Sequence, residues 1–98
     1  MQVKYILLFK HGRHACAAMY YVYCLRSLRA PRFRYVGFSE DLRQRLKDHN
    51  RGCNPSTAPF TPISLEGYIA FTLKSQALEF ERYLKSRSGH AFAKKRLW

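Results

Sequence analysis

The chain has 98 residues, enough for one domain with one hydrophobic core, and 18 Lys and Arg against 6 Asp and Glu leave a formal net charge of +12. Its ordinary apolar content argues against disorder, and its charge predicts a polyanionic partner, nucleic acid ahead of an anionic membrane. Cys16, Cys24 and Cys53 are odd in number and unpaired in spacing, which excludes a disulfide framework or a zinc ligand set and favours a reducing, cytoplasmic setting. The grouping of His11, His14 and Cys16 has metal-like residue types but lacks a fourth ligand.

Residues 1–18 do not pattern like the rest. Val3 to Phe9 is apolar apart from Lys4, and Ala15-Cys16-Ala17 imitates a signal-peptidase site. The apolar run is too short for a signal core, however, and Lys10-His11-Gly12-Arg13-His14 breaks it. No stretch approaches the length of a transmembrane helix. Two readings stand: an N-terminal extension over residues 1–18 ahead of a domain at 19–98, or a short extra strand over residues 3–9.

From Tyr20 the elements follow plainly. Tyr20-Tyr21-Val22-Tyr23-Cys24-Leu25 is aromatic and β-branched, which predicts a strand. A turn region with Pro31 and three arginines leads to a second strand over residues 33–38, and so short a link predicts an antiparallel hairpin. Ser39 is a candidate N-cap, with Glu40 and Asp41 at the positive end of a helix running to about Asn50. Leu42 and Leu46 define its buried stripe, and Arg45 and His49 lie on the flank of that stripe. Gly52 suits a left-handed C-terminal cap. Residues 53–62 hold three prolines and no Lys or Arg, and form a loop.

Ile63, Leu65, Gly67, Ile69, Phe71 and Leu73 alternate with more polar residues, a period-two strand with one buried face. Ser75 is the expected cap of a second helix reaching about Ser86, with Ala77, Leu78, Phe80 and Leu84 inward. Gly89 is expected to separate it from a basic tail of one or two helical turns. The order β-β-α-β-α predicts an α+β domain: a small three-stranded antiparallel sheet flanked by helices.

Glu81 falls four residues after Ala77 and three before Leu84, on or beside the inward face of its helix. A carboxylate there is paired, protonated or bound to a cation. In a chain this rich in arginine, the plain partner is an arginine. The equally plain reading of Arg45 and His49 is a snorkelling stem and a satisfied boundary histidine.

Five elements in order alter that balance. Tyr21-Val22-Tyr23, Tyr35-Val36-Gly37, Arg45, His49 and Glu81 together resemble the GIY-YIG endonuclease superfamily. Tyr20 to Ser27, Asp41 to Asn50 and Glu81-Arg82-Tyr83-Leu84-Lys85-Ser86 are similar to segments of its small, stand-alone bacterial members. The resemblance implies a metal-dependent endonuclease hydrolysing phosphodiester bonds in DNA, with weak or structure-directed specificity. It implies that Tyr23, Tyr35, Arg45 and His49 are catalytic and that Glu81 holds a divalent cation, Mg2+ first and Mn2+ second. Gly37 is read as structural, allowing close backbone approach. Arg43, Lys47, Lys85, Lys94 and Lys95 are the candidate nucleic-acid contacts. DNA is favoured over RNA as partner, in a monomer or weak homodimer. A membrane is disfavoured because both helices carry acids. Tyr21 stands where the first motif has glycine, and valine replaces isoleucine in both tripeptides, changes that remove no reactive group. A non-catalytic nucleic-acid-binding module on the same scaffold is the alternative.

Overall fold

The computed structural model describes residues 4–8 and 19–96. The His11, His14, Cys16 grouping and the Ala15-Cys16-Ala17 stretch lie outside the described residues.

Among the described residues, four strands form one sheet: β1 (Lys4–Leu8), β2 (Tyr20–Ser27), β3 (Arg34–Ser39) and β4 (Ile63–Phe71), in the order β1-β4-β2-β3. The expected antiparallel core is present, with β2 at its centre between β3 and β4. β1 adds to it, running parallel to β4 with Lys4 opposite Gly67 and Leu8 opposite Phe71. An irregularity at Cys24 and Leu25 shifts the β2–β4 register, as a bulge does.

The hairpin register could not be fixed from sequence, and it decides the site. Tyr23 stands opposite Gly37, Leu25 opposite Tyr35 and Tyr21 opposite Ser39. Directly opposed residues of an antiparallel pair share a face. Tyr21, Tyr23 and Leu25 therefore point the same way as Tyr35 and Gly37.

The described residues also form three α-helices and one 3-10 turn: α1 (Leu42–Asn50), the turn Ala58–Phe60, α2 (Lys74–Leu84) and α3 (Arg87–Arg96). The cap of α1 is Asp41 rather than Ser39, its Oδ1 accepting the Gln44 N–H at 3.1 Å. Ser39 is the last residue of β3, and its hydroxyl accepts the Asp41 N–H at 2.9 Å, turning the chain toward the helix. At the other end Gly52 adopts φ +80°, its N–H bonds the His49 carbonyl, and the Cys53 N–H bonds that of Asp48, each at 3.0 Å. These are the paired bonds of a left-handed glycine cap.

The second cap also differs from expectation. α2 starts at Lys74 behind an extended Leu73 with no side-chain cap, so Ser75 lies inside the first turn. The tail is a full ten-residue helix rather than a turn or two. Ser86 opens it, accepting the Gly89 N–H at 3.1 Å. Gly89 therefore separates nothing; it is buried within α3, pressed on the last turn of α2. A Cβ there would strike the Tyr83 carbonyl and lie 2.7 Å from Leu84 Cα.

Each face of the sheet has its own core. Val22, Cys24, Val36, Ile69 and Phe71 pack on Ala77 and Leu84 of α2 and Ala93 of α3. On the opposite face Tyr23, Leu25 and Ile63 pack with Tyr35, Leu65, Tyr68, Phe60 and the α1 leucines Leu42 and Leu46. The strands thus lie between α1 on one side and the α2–α3 pair on the other, the layered arrangement of an α+β domain.

Candidate active site

The site forms where α1 covers the Tyr23 face of the sheet. His49 follows Leu42 by seven residues and Leu46 by three, so it belongs to the buried stripe rather than its flank. It is 0% exposed, as is Thr57 from the following loop, and Tyr23 is 1% exposed. Arg45, one turn before His49, is exposed at the edge of the cluster.

Tyr23 Oη lies 3.0 Å from His49 Nε2, the two rings meeting edge to face at 5.8 Å. Tyr35 meets the imidazole in the same manner at 5.2 Å and 63°. Gly37 makes this contact possible. A Cβ at Gly37 would sit 3.0 Å from Tyr23 Cε1 and closer still to its Cζ and hydroxyl. The glycine therefore admits a tyrosine ring from the neighbouring strand, not a close backbone as the sequence suggested.

Burial sets the electrostatics. It raises the Tyr23 pKa well above the usual phenol range; the Arg45 charge opposes this, while Tyr35 and Glu81 add to it and a hydrogen bond from Arg45 again opposes it. Burial outweighs Arg45. His49 is held below the usual imidazole range, first by burial and then by the Arg45 charge, with Asp48 acting weakly the other way. Both groups are neutral near pH 7. The guanidinium has no acceptor to offer, so His49 Nε2, at 3.0 Å, is the acceptor within reach of the Tyr23 Oη proton.

Glu81 sits at the rim, its side chain 21% exposed and its Oε2 3.0 Å from Lys85 Nζ. Its partner is thus a lysine one turn on, not an arginine. Lys85 also lies 5.9 Å from the Tyr35 ring centroid, linking the carboxylate to the tyrosine cluster. Among the described residues no three His, Cys, Asp or Glu side chains gather as a ligand set. One half-buried carboxylate offers a single anchor, which suits a hard ion that keeps most of its waters and takes substrate oxygens, as Mg2+ does, once Lys85 yields the carboxylate. The residues fit such an ion and do not form a closed cage.

Of the candidate nucleic-acid contacts, Lys85 touches this cluster. Arg43 and Lys47 are exposed on α1, and Lys94 and Lys95 are exposed in the last turn of α3, in the layer behind the opposite face of the sheet. Two clefts flank the centre. One of about 290 Å³ is lined by Arg45, Asp48, His49, Cys53, Asn54 and Pro55. The other, of about 250 Å³, is lined by Arg34, Tyr35, Val36, Leu84, Lys85 and His90.

Sequence reasoning missed two residues of the proline-rich loop. Thr57 Oγ1 lies 2.7 Å from His49 Nδ1, and Asn54 Nδ2 donates to Tyr35 Oη at 3.4 Å. Both had served only as loop-forming types. The available signal was that a buried histidine needs a partner for each ring nitrogen.

A buried tyrosine–histidine pair thus has an arginine and a carboxylate at its rim. The family model of the GIY-YIG catalytic domain matches residues 19–96. The chain belongs to that family, which is of endonuclease type. Curated proteins and solved structures gave no match.

Proposed function

We propose that the protein is a metal-dependent endonuclease that hydrolyses phosphodiester bonds in DNA with weak or structure-directed specificity. The observation that carries this reading is the buried 3.0 Å contact of Tyr23 with His49, with Arg45 acting on the same hydroxyl. A neutral phenol is a weak base by itself, and a second base behind it changes that. As water attacks phosphorus, Tyr23 Oη takes the water's proton while its own passes to His49 Nε2. The phenol ends neutral and the imidazole charged, so no buried phenolate forms. Arg45 offers a planar fork to the non-bridging oxygens as charge gathers on them. Tyr35 holds the imidazole edge-on from its other side. Glu81 would hold the divalent cation, which when bound supplies charge neutralisation at the phosphate and the leaving oxygen.

The net charge of +12 supports a polyanionic substrate, and the family supports DNA. A strand at Arg45 has room in the cleft that Arg45 and His49 line. A domain with one such centre cuts both strands only through two encounters or a dimer.

The test is cleavage of supercoiled plasmid, linear single strands, branched duplex and RNA, each with Mg2+, Mn2+ or chelator. Cutting is expected with the ions and absent with chelator. Arg45→Ala is expected to lower the rate by about a hundredfold or more, and Glu81→Ala to abolish metal-dependent turnover. Tight, salt-sensitive binding with no cutting of any substrate would instead identify a non-catalytic binding module.

A further inference from the structure

The buried chain of hydrogen bonds continues past His49. Nδ1 lies 2.7 Å from Thr57 Oγ1, which lies 3.4 Å from the Asn54 carbonyl oxygen. His49 and Thr57 are fully shielded, so each proton has to sit between protein atoms. Arg45 donates to the phenol oxygen and cannot accept from it, which leaves Nε2 as the acceptor for the phenol proton. A neutral imidazole then carries its single proton on Nδ1, which faces Thr57. Thr57 Oγ1 accepts it, and the hydroxyl's own proton turns to the Asn54 carbonyl. The reverse set, Thr57 donating to Nδ1 and Nε2–H to the phenol, turns the phenol proton toward Arg45, which cannot accept it.

We propose that Thr57, anchored by the Asn54 carbonyl, is a positioning residue that fixes His49 in the Nδ1–H tautomer and so leaves Nε2 bare to receive the Tyr23 proton. The use of that proton rests on the nuclease reading; the tautomer does not. The local fold is built to hold the hydroxyl there. The glycine cap at Gly52 turns the chain back beneath α1. The Asn54 carbonyl takes the Thr57 and Ala58 N–H groups at 3.1 and 2.9 Å, and Asn54 Oδ1 takes the Ser56 N–H at 2.8 Å. Threonine adds a restricted χ1, which keeps Oγ1 aimed at the ring.

Long-range proton–nitrogen spectra of the intact chain report which imidazole nitrogen is protonated. The wild-type protein is expected to show Nδ1 protonated and Nε2 bare. Thr57→Val keeps the shape and removes the acceptor, leaving a buried Nδ1–H without a partner. It is expected to shift His49 toward the Nε2–H form and to slow cleavage by about tenfold or more. Thr57→Ser is expected to restore both. A purely structural role would lower the melting temperature without moving the tautomer. The proposal is overturned if the folded wild type carries its proton on Nε2, if folded Thr57→Val keeps Nδ1–H, or if folded Thr57→Ser restores neither property. Should Thr57→Val not fold, the wild-type spectrum and Thr57→Ser decide. A wild type with the expected tautomer that cuts no nucleic acid would refute the nuclease reading and leave the tautomer assignment standing.

Discussion

At Gly37 the absence of a side chain is itself the functional feature. The Tyr23 ring lies across the space a Cβ would occupy. Gly37→Ala therefore has to push the ring off His49 or part β2 from β3. Overpacking of this kind costs about 1–3 kcal/mol. The urea midpoint should fall accordingly, and cleavage should fall further than stability, because the displaced group is the phenol itself. His49 provides a second prediction. Its pKa is depressed in the folded state by burial and by Arg45, against the weaker pull of Asp48; Tyr23, Tyr35 and Thr57 are its neutral neighbours. The unfolded chain thus binds a proton before the native one does, so stability is full above the usual imidazole range and falls as pH drops through and below it. Melting temperature measured from pH 8 to pH 5 should decline over that interval, and His49→Gln should flatten the decline. Tyr23, Tyr35, Arg45, His49 and Glu81 were singled out by their resemblance to the GIY-YIG motifs, and the structure gathers Tyr23, Tyr35 and His49 with Arg45 and Glu81 at the edge. Thr57 was not legible, because a threonine eight residues on meets the histidine only through a cap and a 3-10 turn that sequence does not place.

Among the elements, helix ends were the least legible part. Ser39, Asp41 and Ser75 are all capping types, and only geometry separates the residue that accepts from N3 from the one that closes the preceding turn. The α2–α3 elbow was missed for a related reason: glycine after a helix suggests a stop, whereas Gly89 is a point of backbone contact within the next helix. The consequence is testable. Gly89→Ala adds a methyl against main-chain atoms of Tyr83 and Leu84, which cannot rotate away as a side chain would. Helix propensity alone favours alanine by about 1 kcal/mol, so an exposed glycine would give a gain. Here the clash should reverse the sign, destabilising by about 1–3 kcal/mol as α3 is levered from Leu84. A more stable Gly89→Ala protein in thermal or urea unfolding would mean that the two helices are not packed as described.

For the whole molecule, alternation and strand propensity were enough to foretell an antiparallel three-stranded core with helices. The side each helix takes was not legible, since that depends on register and on crossovers between strands distant in sequence. The layering distributes the charge: Arg43 and Lys47 project from α1, Lys85 from the end of α2 beside Tyr35, and Lys94 and Lys95 from α3 behind the opposite face. The α3 lysines have a local role as well, because cations in the last turn answer the helix dipole. Phosphate contact is separable from that role by salt dependence. Each lysine that neutralises a phosphate contributes about one unit to the slope of log affinity against log salt, whereas a dipole effect contributes to stability and leaves the slope alone. On the proposed function, a DNA strand that leaves the Arg45 centre through the cleft lined by Lys85 and His90 would run toward α3. Lys85→Ala should then lower the slope by about one, and the Lys94→Ala, Lys95→Ala double variant by about two, with losses uniform across sequences. An unchanged slope in the double variant would confine the bound strand to the α1 side and leave the lysines of α3 to their helix alone.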